Sequence, residues 1–260
     1  MTESAPDYAI LDRLGIGAGI FFPRPDATPT PPGSSDHRIA VADGAELHAR
    51  LYRGETHWPT ILYFHGNGEV VADHDGIAPI YHQAGLNLFV VDFRGYGRST
   101  GTPTFSSLTA DAESVLERFH EILDSDGYAE PRFVMGRSLG AYPVLEIASH
   151  NYERLRGLII ESGAGSLGRL ATMAGGDTAV SQLVEAHEAK LRAIALPALI
   201  IHGEVDQLIP LANAVRLHDT ISSNDKQLLV IPGAGHNDIL SVGMKDYFGT
   251  IKEFTGRLAG

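Results

Sequence analysis

Short, continuous apolar runs separated by longer stretches of mixed polarity dominate the chain. "TILYF" (Thr60 to Phe64), "NLFVV" (Asn87 to Val91), "RFVM" (Arg132 to Met135), "GLII" (Gly157 to Ile160), "ALII" (Ala198 to Ile201) and "QLLVI" (Gln227 to Ile231) recur at intervals. Such runs predict strands buried on both faces. Upstream, "RIAVA" (Arg38 to Ala42) and "ELHARLY" (Glu46 to Tyr52) are joined through Asp43-Gly44, a strong hairpin signal. Between Leu108 and Leu123 the apolar residues Leu108, Ala112, Val115, Leu116, Phe119 and Ile122 recur near a helical period, and Tyr247 to Leu258 behaves likewise. A hairpin followed by strands alternating with helices implies a mostly parallel sheet with helices on both faces. No internal repeat and no second core is visible.

Composition narrows this picture. A chain of 260 residues can bury one large α/β core, and 43% hydrophobic against 20% charged residues is a globular balance. "FFPRPDATPTPPGSSD" (Phe21 to Asp36) concentrates proline, glycine and serine and predicts a solvated arm over the body. The expected organisation is a leader and connection over 1–36 and a main domain over 37–260.

With 20 Lys+Arg against 32 Asp+Glu, the net charge of −12 is repelled by phosphate backbones, so nucleic acid is not expected as a main partner. Cysteine is absent, which removes disulfides, thiolate metal sites and a cysteine nucleophile and fits a cytoplasmic location. Leu14 to Phe22 is too short and glycine-rich to span a bilayer, so no stable membrane insertion is expected.

Candidate chemistry sits just beyond the strands, where ligands bind in open α/β sheets. "RFVM" runs into Gly136-Arg137-Ser138-Leu139-Gly140 and then a helix-like stretch, which is G-x-S-x-G in the strand–turn–helix setting of a nucleophile elbow. A serine there needs a base, and His236 lies in the glycine-rich loop after the last strand. The imidazole needs an acid. Asp206, in the loop after "ALII", is the first candidate; Glu204 and Glu161 are its rivals. The N–H of Leu139 and that of Asn67, in "HGNG" after "TILYF", are candidate oxyanion donors, with Gly68 as the fallback and His65 as a loop stabiliser.

Other signals carry less. Neither "RGYGRSTG" nor "GIGAGI" keeps the dinucleotide spacing, and Arg94 is expected to make structural contacts. "DHD" at Asp73 to Asp75 has no companion cluster, so no metal and no cofactor is expected.

"HGNGE", "DFRGYGRSTGTP", "GRSLGA", "HGEVDQLIP" and "GAGH", in this order from about Arg38 onward, resemble the α/β-hydrolase-fold serine hydrolases, particularly small esterase, acyl-thioesterase and peptidase-like members with little or no lid. The resemblance implies an eight-stranded, mostly parallel sheet and a serine–histidine–acid site. It also implies hydrolysis of a small acyl ester or thioester through an acyl-enzyme, without a cofactor. Amide cleavage, acyl transfer, a cofactor-free lyase or a silent receptor or scaffold are the alternatives. The interval after Glu161 leaves room for a short lid over about 162–190, between strands six and seven, whose Leu167, Leu170 and Met173 could be pocket walls or ordinary core.

Overall fold

A computed structural model describes residues 6–150, 152–163, 165–175 and 177–259. Eight strands form one sheet: β1 (Ser34–Ala40), β2 (Glu46–Tyr52), β3 (Thr60–Phe64), β4 (Asn87–Val91), β5 (Arg132–Arg137), β6 (Leu155–Glu161), β7 (Ala198–Gly203) and β8 (Lys226–Ile231). Their order is β1-β2-β4-β3-β5-β6-β7-β8. β2 pairs antiparallel with both β1 and β4, and every other neighbour is parallel. This is the α/β-hydrolase fold.

Strand side chains alternate between two cores. In β3, Leu62 and Phe64 join one apolar cluster while Ile61 and Tyr63 join the other. The first cluster takes in Leu11 of α1 (Ala9–Arg13), Leu116 of α3 (Phe105–Ser125) and Val144 of α4 (Ala141–Ser149). The second takes in Tyr81 of α2 (Ala78–Gln83) and Ile251 of α8 (Ile239–Ala259). Both faces are therefore dry, which is why the strands read as unbroken apolar runs.

The first strand differs from expectation. It starts at Ser34, four residues before Arg38, and ends at Ala40. Asp36 lies opposite Arg50, with an ion pair at 2.7 Å. An edge strand can be polar when such cross-strand pairs replace apolar packing. The turn that follows uses left-handed Asp43 (φ 60°) and Gly44 (φ 72°), the geometry that favours Asp-Gly.

Within Phe21 to Asp36, read as a solvated arm over the body, the departure is at Phe21, the one buried residue of the segment. Phe21 is buried with its ring 5.4 Å from that of Phe105, and Asp26 N–H donates to the Gly97 carbonyl at 3.1 Å. Residues 22, 23, 25, 27–30, 32 and 33 are exposed. An aromatic ring that covers another outweighs the local proline content.

After β6 come α5 (Gly168–Met173) and α6 (Thr178–Arg192), then α7 (Leu211–Thr220) after β7. Leu167 is buried in the core, Met173 is exposed, and the side chain of Leu170 lies outside those described. Among the described residues, no helix is long and apolar enough to cross a membrane.

Candidate active site

The chain order reverses at β3, which has β4 on one side and β5 on the other. Such a switch point opens a crevice beyond the carboxyl ends of its strands. The β3 loop carrying His65 to Gly68 and the β5 loop carrying Ser138 both enter it.

Ser138 sits between β5 and α4 with a left-handed backbone, φ 50°. For a residue with a side chain this costs about 1–2 kcal/mol. The flanking glycines are dictated by contact. A Cβ on Gly136 would lie 2.1 Å from the Gly140 carbonyl oxygen, and one on Gly140 would lie 2.0 Å from that of Phe64. Strand, elbow and helix can pack this closely only without those carbons.

Three loops converge on the hydroxyl. His236 Nε2 is 3.0 Å from Ser138 Oγ, and His236 Nδ1 is 2.7 Å from Asp206 Oδ2. Because the carboxylate can only accept, Nδ1 carries the proton and Nε2 faces the serine as an acceptor. Asp206 is fully buried, and its other oxygen accepts the N–H groups of Leu208 at 2.9 Å and Ile209 at 2.8 Å. The rival acids sit elsewhere: Glu204 accepts the Gly233 N–H at 2.9 Å, and Glu161 accepts the Tyr247 hydroxyl at 2.7 Å.

Leu139 and Asn67 line the same cavity as Ser138. Leu139 lies in the first helical turn, whose N–H groups have no acceptor within the helix. The Asn67 side chain holds the leader: its Oδ1 accepts the Phe22 N–H at 3.0 Å, and its Nδ2 donates to the Ile20 carbonyl. Gly68 offers its carbonyl to Arg24 Nε at 2.8 Å. His65 has Nδ1 at 2.8 Å from the Gly66 carbonyl and Nε2 at 3.4 Å from Asp92, within the loop's own support. Arg94 pairs with Asp111 through two bonds of 2.7 Å, a structural contact.

Arg137 was not singled out by sequence reasoning, although a cation at the end of a buried strand beside a candidate nucleophile is a signal. Its guanidinium donates to Glu161 at 3.2 Å, to the His236 carbonyl at 2.9 Å, to Asn237 Oδ1 at 2.8 Å, and to Glu69. Glu69 in turn accepts the Gly66 N–H at 2.8 Å. One side chain thus ties together the β3 loop, the elbow and the His236 loop. Burial pushes Glu161 above the usual carboxylate range despite Arg137. Burial opposes ionised Glu69 too, but Arg137, His74 and His65 hold it below its ordinary value.

The cavity over Ser138 measures about 280 Å³, near the lower end of small-molecule sites. Its walls include Ile20 and Phe22 of the leader, Phe105, Tyr142, Met173 and Leu208, and no charged side chain lines it among the described residues. Tyr142 follows Ser138 by four residues, one helical turn, a spacing visible in sequence. Among the described residues, no group of three or more His, Cys, Asp or Glu side chains could hold a metal ion.

Comparison with known proteins gives a consistent family. A model described as serine aminopeptidase, S33, matches two overlapping stretches, 56–174 and 169–240. The bem46 protein of Schizosaccharomyces pombe is 30% identical over 206 residues, covering 75% of this chain and 67% of its own. The YfhR protein of Salmonella typhi, itself uncharacterised, is 25% identical over 249 residues, covering 89% of this chain and 84% of its own. Among solved structures, a Pyrococcus furiosus esterase superposes with a TM-score of 0.72 at 18% identity, covering 92% of this chain and 100% of that one. Est1E from Butyrivibrio proteoclasticus, solved with ferulic acid, gives 0.69 at 18% identity, covering 85% of this chain and 98% of that one.

Proposed function

We propose, from the premise that the chain belongs to the serine aminopeptidase S33 family within the α/β-hydrolase superfamily and is a hydrolase, that it cleaves small, uncharged carboxylic esters or thioesters through an acyl-enzyme. The observation that carries the reading is the convergence of Ser138 Oγ, His236 and buried Asp206 at 3.0 and 2.7 Å. In this mechanism Ser138 Oγ attacks the substrate carbonyl as His236 Nε2 takes its proton, and Asp206 holds the imidazolium. The N–H groups of Leu139 and Asn67 hold the oxyanion of the tetrahedral intermediate. Collapse breaks the bond to the leaving group, which receives the proton from His236. Water then repeats both steps on the acyl-serine and returns the free acid.

The family description raises a second reading, removal of an N-terminal amino acid from a peptide. A free α-ammonium group held in a cavity needs a carboxylate partner, whereas this cavity is lined by apolar and neutral side chains among the described residues. That favours an ester without an α-amine, as do the esterase and the ferulic acid complex among the solved neighbours.

The test is covalent labelling with a fluorophosphonate, followed by turnover of p-nitrophenyl esters. The expected result is one adduct on Ser138 and ester hydrolysis, both lost in a folded Ser138→Ala variant. Turnover surviving in that variant, or cleavage of aminoacyl substrates in preference to simple esters, would sink the proposal.

A further inference from the structure

We propose that the leader, at residues 19–22, forms the acyl-binding wall of this site and sets which acyl chains it accepts, an inference that rests on the ester reading above. The acyl group it suits is an uncharged aliphatic or aryl chain longer than acetyl.

Three observations bear on this. First, Gly19, Ile20 and Phe22 line the cavity that opens on Ser138. The sequence "GIGAGI", which fits no nucleotide motif, thereby acquires a place in the fold: Gly15, left-handed at φ 68°, ends α1 and turns the chain toward the crevice.

Second, the leader is fastened to the structures that carry the chemistry. Asp12 accepts the N–H of Phe105 at 2.7 Å and of Ser106 at 3.1 Å, capping α3. Phe21 packs on Phe105, itself a wall of the cavity. Asn67 holds Ile20 and Phe22 on either side of Phe21, and Tyr96 adds its hydroxyl oxygen, 2.9 Å from the Phe22 N–H. The side chain that fixes the wall therefore belongs to the residue whose backbone N–H is assigned to the oxyanion. Wall and oxyanion donor keep one spacing, so a carbonyl held by the donor places its chain along Ile20 and Phe22.

Third, Phe22, Met173 and Leu208 are 64, 56 and 51% exposed, and all three border this cavity. Large apolar side chains gathered around one opening mark a surface that an apolar ligand covers. Phe22 and Ile20 face it from the leader, Leu208 from the loop after β7, and Met173 from the end of α5.

The experiment compares the full-length wild type with Phe22→Ala and Ile20→Ala on p-nitrophenyl acetate, butyrate and octanoate. Labelling rates with a short and a long alkyl fluorophosphonate are read alongside. The expected result is a fall of about tenfold in the octanoate-to-acetate ratio of kcat/KM in Phe22→Ala, with a fall of the same sign in Ile20→Ala and in the labelling ratio. Phe22 is exposed, so its replacement leaves the core intact, and thermal denaturation checks this. Ratios within twofold of wild type in both variants, with turnover still dependent on Ser138, would overturn the leader wall and leave the ester reading standing. A wild type that neither labels at Ser138 nor hydrolyses any ester of the series would overturn both.

Discussion

The guanidinium of Arg137 donates to the main-chain carbonyl of His236 at 2.9 Å, so the residue beside the candidate nucleophile holds the backbone of the candidate base. The same group holds Asn237 at 2.8 Å and is neutralised by Glu69 and Glu161. Its removal frees the His236 loop and takes the cationic partner from buried Glu161 and half-buried Glu69.

Arg137→Gln is therefore expected to lower kcat about 10²-fold, the cost of misplacing a reacting group by about 1 Å, with KM on a small ester little changed. Breaking the buried cluster should also cost about 3 kcal/mol of stability. Kinetics at a temperature where the variant is folded separate the two effects. Partial recovery of kcat in Arg137→Ala on adding guanidinium distinguishes positioning from general destabilisation. A folded variant with kcat within twofold of wild type would remove the role.

The backbone at Ser138 carries a second consequence. At φ 50° a side chain is disfavoured, so the hydroxyl is presented at a cost to stability. Ser138→Ala keeps that cost and Ser138→Gly releases it. Both should be inactive, and the glycine variant should be more stable than the alanine variant by about 1 kcal/mol, or about 2–4 °C in Tm. Equal melting temperatures would mean that the elbow is unstrained.

Acid should loosen the anchorage of the leader. His187 Nε2 lies 2.7 Å from the Gly165 carbonyl, so that nitrogen carries the proton, and Nδ1 accepts the Tyr8 hydroxyl at 2.8 Å. Tyr8 also accepts from Lys190, which pairs with Glu146, and the Tyr142 ring lies 6.3 Å from that of His187. Burial, aided by Lys190, lowers the pKa of His187 from 6.5 to about 3. Between those values the unfolded chain binds a proton that the folded chain does not, so this contribution is intact above pH 6.5 and is lost as the pH falls toward 3. The slope reaches about 1.4 kcal/mol per pH unit. His187→Gln should flatten the dependence of Tm on pH between 4 and 6 by about one proton. His120, lowered to about 4 by burial and by Arg154 and Arg132, leaves a slope of the same sign in the variant. An unchanged slope would show that His187 titrates normally.

What could be read from the sequence divides along physical lines. The Ser138 elbow was legible because its requirements are local: a strand, two glycines at which an added Cβ would meet backbone carbonyl oxygens at 2.0–2.1 Å, and a helix. Asp206 and His236 were legible as candidates because parallel strands deliver their carboxyl ends to one edge. Arg137 was not, since its partners come from residues 69, 161, 236 and 237, and only the sheet order assembles them. The start of β1 at Ser34 depends on Asp36 finding Arg50 across the hairpin. Phe21 looked solvated because the proline content that follows it is local, whereas its burial depends on Phe105, far along the chain.

The choice among the three candidate acids rests on tautomer control. Asp206 Oδ1 is fully engaged by the N–H groups of Leu208 and Ile209, so in Asp206→Asn the amide oxygen takes that position and the NH2 group faces His236 Nδ1. Nδ1 must then become the acceptor and the proton moves to Nε2, which can no longer take one from Ser138. The expected loss in kcat is about 10⁴-fold, with slower fluorophosphonate labelling to match. Glu204→Gln keeps an oxygen for the Gly233 N–H and should stay within a few-fold of wild type. Glu161→Gln weakens its bond to Arg137 but leaves the imidazole partner in place, so its loss should be far smaller than that of Asp206→Asn. The ordering of the three variants is the test. If Asp206→Asn kept a tenth or more of wild-type kcat while either glutamate variant collapsed, the acid in this site would have to be reassigned.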